Sequence, residues 1–257
     1  MNLQQSFIHP DAKIGKNVSI GPFCYIGADV VIGDHCKIES HVVIKGPCII
    51  GTHNHFYQFG SIGEDCQDKK YAGEPTQLII GDHNVFRESV TVHRGTVQDK
   101  GITQIGSHNL FMAYVHVAHD CTIGHHVIMS NNASVAGHCE VHDWAIIAGM
   151  VGVHQHVRIG AHSFIAGGSM VRKDIPPFIM AEGASSAAPK GLNSEGMKRR
   201  DYSSESIMAM KKAYRKFYRD GLTKDDALAE LKHTLYQHEA IQQFVDFISC
   251  SERGVIR

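Results

Sequence analysis

Aliphatic or aromatic residues recur at every sixth position from Ile8 through Ile14, Ile20, Ile26, Ile32, Ile38, Ile44, Ile50 and Phe56 to Ile62. An α-helix repeats every 3.6 residues and a strand every two, so neither makes this pattern. A solenoid with three flat sides of six residues per turn does, with the repeating residue pointing inward. Glycine often follows that residue (Gly15, Gly21, Gly27, Gly33, Gly51), which predicts tight corners that a Cβ would hinder. The series resumes at Ile80, Phe86 and Val92, slips by one residue, and runs in sixes from Ile105 to Val171. The polar interruptions at 63–79 and 94–104 are expected to be loops thrown out of the coil, where function tends to sit.

Cys24, Cys36 and Cys48 share the second inward slot with Val18, Val30 and Val42, which makes them packing residues. Cys121 and Cys139, one turn apart, should stack at the strand spacing of about 4.8 Å. Seven cysteines without a CxxC pair suit reduced thiols. Asp174-Ile175-Pro176-Pro177 should end the coil, followed by an Ala/Ser/Gly-rich linker at 181–191. Helical signals come next. Ser203 and Ser204 precede a face of Ile207, Met210, Tyr214, Phe217 and Tyr218 stopped by Gly221; Thr223 with Asp226 starts a second helix; Ile241, Phe244, Val245 and Ile248 mark a third at 238–250. The expected fold is mainly β: a parallel β-helix domain over 1–190 and a small α-helical domain over 191–257.

A net charge of −1 gives no reason to expect a nucleic-acid partner. No stretch approaches the roughly 20 apolar residues of a membrane span, and the start MNLQQSFIHPDA lacks a basic-then-apolar leader. The reading is a cytoplasmic protein without stable membrane insertion.

With one turn as a ruler, the chemistry gathers around HVAHDC. His116 and His119 flank inward Val117; Asp120, His138 and His156 form one column, and His119, Gly137 and Gln155 the next. A neutral imidazole can take a proton from a hydroxyl, and a neighbouring carboxylate fixes its tautomer. Two other readings stay open: surface histidines on a non-catalytic scaffold, and a zinc site, since some hexapeptide-repeat proteins are zinc carbonic anhydrases. HxxH is a weak metal signal here, and neither metal nor cofactor is expected.

The hexapeptide run together with QDKKYAGEP (67–75), RESVTVHRGT (87–96), HVAHDCTIG (116–124), NNASVAGH (131–138), VHQH (153–156), DIPPFIMAEG (174–183) and EGMKRR (195–200) resembles the UDP-N-acetylglucosamine acyltransferase family over essentially the whole chain. That resemblance implies a left-handed β-helix. It also implies transfer of a (3R)-3-hydroxyacyl group from acyl carrier protein to the 3-hydroxyl of UDP-N-acetylglucosamine, the first step of lipid A biosynthesis. His119 would be the general base, Asp120 its support and Gly137 N–H the oxyanion donor. Asp68, Lys70, His93, His116, His138, Gln155, Glu195 and Arg199 would bind the sugar nucleotide or hold the donor, and Gly167, stacked on Gly149, would set acyl length. A homotrimer with sites between subunits is implied as well. Nine Lys or Arg over 190–219 offer a surface for an acidic carrier. His156 and the segment 185–191 depart from the family pattern. Acylation of a 3-amino sugar nucleotide, or another hexapeptide-repeat N-acyltransferase activity, is the alternative; the glucosamine N-acyltransferase usually has an extra N-terminal domain, for which a coil beginning at Ile8 leaves no room.

Overall fold

The computed structural model describes residues 5–257, and in it the six-residue period becomes the three sides of a prism. Strands mostly two residues long pair in parallel with the strand one turn on, giving sheets of nine, eight and ten strands among the described residues. The first face runs from Phe7–Ile8 to Met170–Val171, the second from Lys13–Ile14 to Arg158–Ile159, and the third from Ser19–Ile20 to Ala188–Leu192.

Inward residues stack in register: Ile8 on Ile26, Ile26 on Ile44, Ile44 on Ile62, and later Val117 on Val135, Val153 and Val171. Phe56, Phe86 and Phe111 form a central column with ring centroids 4.7 and 4.8 Å apart. Each buried side chain is shared by two neighbouring turns. Truncating Ile44 to Ala would cost about 2–5 kcal/mol, because parallel ladders on both sides resist collapse into the cavity. Cys24, Cys36, Cys48, Cys121 and Cys139 are buried free thiols, and burial raises the pKa of Cys48 to about 12.

Both interruptions are narrower than the sequence suggests. Ile50 pairs with Ile80 and Ile80 with Ile105, separations of 30 and 25 residues instead of 18. The ladder therefore reclaims Ser61–Glu64, Gln77–Ile80 and Ile102–Ile105, leaving excursions at 65–76 and 94–101. Polar residues such as Gln77, Thr103 and Gln104 hid these strands, whose hydrogen bonds come from the backbone.

The corner glycines need a different explanation from the expected one. The left-handed residue is two positions beyond them and is rarely glycine: Asn17, Phe23, Asp29 and His35 have φ of 57, 59, 56 and 60°. Glycine is needed for the approach of adjacent turns. A Cβ on Gly33 would lie 2.6 Å from the Gly51 carbonyl, and one on Gly15 2.7 Å from Asp34 N.

The coil also continues past the Pro pair. Ile175 bridges Ile159, and Ile179–Glu182 joins the third face beside Phe164–Ile165. Part of the expected linker is the strand Ala188–Leu192, antiparallel to Ile179–Glu182. The last strand of each face is covered. Met170 on the first face bonds Gly183 O and Ala187 N; Asp174, beyond the second, bonds Gly254 O and Ile256 N; the antiparallel strand closes the third.

Four helices follow: α1 (Ser194–Lys198), α2 (Ser204–Tyr218), α3 (Lys224–Thr234) and α4 (Glu239–Ser249). Ser203 and Thr223 cap α2 and α3 by accepting from Ser206 N and Asp226 N. Ile207, Met210 and Phe217 of α2 are buried, as are Ile241, Phe244, Val245 and Ile248 of α4. The five-residue α1, capped by Asn193, is too short to show a period in sequence.

Candidate active site

Three edges join the faces, and the one between the first and second carries His119 and Asp120, after the strand His116–Val117 and before Thr122–Ile123. Asp120 is the left-handed corner residue (φ 59°) and its side chain is fully buried. It accepts from Thr96 N at 2.9 Å, Thr96 Oγ1 at 2.6 Å and His119 Nδ1 at 2.8 Å. Its own N–H donates to Thr103 Oγ1 at 2.8 Å. Burial alone would push this carboxyl up, but the hydrogen bonds from His119 and Thr96 outweigh it and hold the pKa below the ordinary value. An ionised carboxylate only accepts, so His119 Nδ1 carries the proton and Nε2 keeps its lone pair.

The imidazole lies over Gly137. A Cβ there would sit 2.7 Å from His119 Nε2 and 2.6 Å from Cε1, so only glycine leaves room for the ring. The Gly137 N–H donates to no group among the described residues. One turn earlier His116 Nδ1 meets Thr91 Oγ1 at 2.8 Å, and its ring packs edge-on against His93 at 5.0 Å. Burial, then the neighbouring His93 and His119, lower the His116 pKa to about 4. Burial also lowers that of His93. Both are neutral at pH 7.

A groove of about 820 Å³ on the first face brings together Asp68, His93, His116, His119, Gly137 and Gln155. Its floor is low because the outward column beyond His116 is Ser134 and Gly152, and Met170 folded over Gly152 closes its end. The other expected residues lie elsewhere in the single chain. Lys70 is exposed in the first excursion, its N–H on Asp68 Oδ1. His138 faces a polar recess of about 780 Å³ on the second face with His156 and Arg158. Glu195 and Arg199 line a recess of about 300 Å³ beside Trp144 and His162 on the third. Gly167 stacks on Gly149 as expected, a Cβ there meeting only Gly149 O at 3.2 Å, and lies outside these three recesses.

The structure adds residues to this site that the sequence does not point to. Thr96 and Thr103 seat Asp120, Asp99 bonds His138 Nδ1 at 2.8 Å, and Arg172 and Arg253 line the groove's far end. Buried Arg94 ties the first excursion down through Gly63 O, Asp65 and Tyr71. Thr96, Asp99 and Arg94 lie in the second excursion, where the repeat sets no register; only the interruption itself marked them.

The coil matches the bacterial transferase hexapeptide model over residues 11–46 and 102–137, and residues 174–256 match the second domain of UDP-N-acetylglucosamine O-acyltransferase. The acyl-[acyl-carrier-protein]--UDP-N-acetylglucosamine O-acyltransferase of Thiobacillus denitrificans is 56% identical over 98% of this chain and 97% of its own. This chain belongs to the UDP-N-acetylglucosamine O-acyltransferase family. Among solved structures, the UDP-N-acetylglucosamine acyltransferase of Bacteroides fragilis 9343 superposes with a TM-score of 0.97 at 44% identity, covering 100% of both chains. The Acinetobacter baumannii protein gives 0.96 at 44% over 98% of each. The family membership makes the chain an acyltransferase and the prism a left-handed β-helix.

Proposed function

We propose that the chain transfers a (3R)-3-hydroxyacyl group from acyl carrier protein to the 3-hydroxyl of UDP-N-acetylglucosamine, opening lipid A biosynthesis in the cytoplasm. The observation that carries this reading is the His119–Asp120 pair, with Nε2 held over Gly137 at the groove. His119 Nε2 takes the hydroxyl proton as the oxygen attacks the thioester carbon. Asp120 stabilises the imidazolium that forms. The Gly137 N–H stabilises the tetrahedral oxyanion, a contribution of roughly 3 kcal/mol where water is excluded. Collapse breaks the C–S bond, and the thiolate leaves with the proton from His119. This scheme uses no metal or cofactor, so exhaustive chelation is expected to leave kcat unchanged.

Asp68, His93, His116 and Gln155 line the groove and would position the substrates from this chain. Lys70, His138, Glu195 and Arg199 act on the same substrates in our reading, and the last two are on another face. Their separation supports a homotrimer with each site between two chains. Lys211 and Lys212 on α2 are exposed and have no acidic partner within 4 Å among the described residues, which suits an acidic carrier; Lys198, Arg215 and Lys216 are already paired. No helix among the described residues is long and apolar enough to cross a membrane.

The deciding experiment compares UDP-N-acetylglucosamine with its 3-amino analogue as acceptor, using carrier thioesters of 10, 12 and 14 carbons. We expect the hydroxyl sugar and the long donor to win, and Gly167→Met to shift preference to shorter donors. Preference for the amino sugar would overturn the acceptor; an unchanged chain-length ranking would remove Gly167 from its role.

A further inference from the structure

We propose that the His119 edge is a binding site for a soft divalent cation, Zn²⁺ above all, and that the ion inhibits the enzyme by locking His119 in the wrong tautomer. Ligand-capable atoms of His119, Asp120 and His138 lie within 4.8 Å of one another. The separations are 2.8 Å from His119 Nδ1 to Asp120 Oδ2 and 3.9 Å from His138 Nδ1 to the same oxygen. They bracket the spacing of about 3.3 Å between neighbouring ligands of a tetrahedral ion whose bonds are near 2.0 Å. Asp99 Oδ2 bonds His138 Nδ1 at 2.8 Å but is not in this group, so the fourth position is left to solvent. Two imidazoles and one carboxylate, with an open fourth position, match the borderline-soft donor set of zinc. His116 is not in this group, so the HxxH spacing is not what gathers the ligands.

Both rings are fixed before any ion arrives. His138 stacks on His156 with centroids 4.5 Å apart and planes 7° from parallel. His119 is held edge-on to His138 at 88° over Gly137. Such preorganisation lowers the reorganisation that binding requires.

The inhibition follows from proton accounting and rests on His119 being the base. Without metal, the single ring proton of neutral His119 sits on Nδ1, donated to Asp120, and Nε2 is the free acceptor. A Zn–Nδ1 bond needs that lone pair, so the proton moves through solvent to Nε2. The nitrogen that must accept the hydroxyl proton has then become a donor. His138 Nδ1, hydrogen-bonded to Asp99, passes its proton to Nε2 in the same way, so neither ring gains or loses a proton. Zinc should therefore lower kcat even at saturating sugar nucleotide.

The test titrates chelator-stripped protein with ZnCl₂, following binding by equilibrium dialysis and turnover in parallel. We expect one Zn²⁺ per chain, kcat falling in proportion to occupancy, full recovery with EDTA, and no effect of MgCl₂ at the same concentration. His138→Ala, read by equilibrium dialysis alone, should weaken zinc binding about tenfold or more, the usual cost of altering a ligand. Equal zinc affinity in His138→Ala and wild type, binding only at millimolar zinc, or full occupancy with unchanged kcat would each overturn the proposal. His119→Ala separates the two claims: loss of zinc binding supports the site, and retained turnover in that variant would sink the base assignment and the inhibition with it, leaving only the binding site.

Discussion

Two edges of the prism share one backbone and have opposite characters. At the edge between the second and third faces, the left-handed corner residues His35, His53, His83, His108, His126, Trp144, His162 and Phe178 form a single stack. Most neighbouring histidine rings are 4.6–4.9 Å apart and near parallel, and a buried ladder of Asn54, Asn84 and Asn109 runs beneath. At the edge between the first and second faces the corner residues are Asp120, His138 and His156, in the same φ region. There the second excursion brings Thr96 and Asp99 against them, and His119 and His138 meet edge-on instead of stacking. An uninterrupted repeat puts like beside like. An insertion supplies unlike partners, and with them a polarised base.

That contrast can be broken most severely at His119. His119→Ala is expected to lower kcat at least about a hundredfold with little change in melting temperature, because the ring contributes proton transfer and not core packing. Retention of more than about a tenth of wild-type kcat ends the assignment. Thr96→Val tests the insertion itself. Loss of the hydroxyl on a buried carboxylate should cost roughly tenfold in kcat with KM unchanged, and Thr96→Ser should restore it; Ser failing to rescue would make the effect one of shape.

The stacked edge is probed by acid. Burial, with Arg200 nearby, lowers the pKa of His162 to about 4. The unfolded imidazole titrates near 6.5, so between those values the unfolded chain binds more protons. Stability is complete above about pH 6.5 and falls by roughly 1.4 kcal/mol per pH unit per imidazole on the way to 4. His116, also lowered to about 4, adds to the slope. Urea unfolding of His162→Phe from pH 7 to 4.5 should lose about one imidazole's share; an unchanged slope would show that His162 is not held neutral. The smallest effect is expected on the helices, where Lys211→Glu with Lys212→Glu should raise the KM for the carrier thioester severalfold at low salt and little at high salt. Salt-independent KM values would move the carrier elsewhere.

The coil was legible because each turn repeats the same burial demand, and the capped helices because Ser203 and Thr223 carry local signals. The His119, Gly137 and Gln155 column was legible for the same reason: the ruler is the strand register. It fails where register does. Thr96 and Asp99 sit in an excursion whose path depends on what it touches, and the role of Asp120 as the buried centre of four hydrogen bonds needs three dimensions. Gln77–Ile80 and Ile102–Ile105 were hidden because parallel pairing is a backbone property that polar side chains tolerate.

The covering of the three final strands has a bearing on self-assembly. A parallel coil grows by adding turns, and its last turn offers three rows of unpaired amides and carbonyls to any strand that fits. In this chain residues 183 and 187 occupy one row, an antiparallel strand the second, and Gly254–Ile256, carried back from beyond α4, the third. The C-terminus thus acts as a polymerisation stop, converting a shape suited to fibre growth into one of defined length.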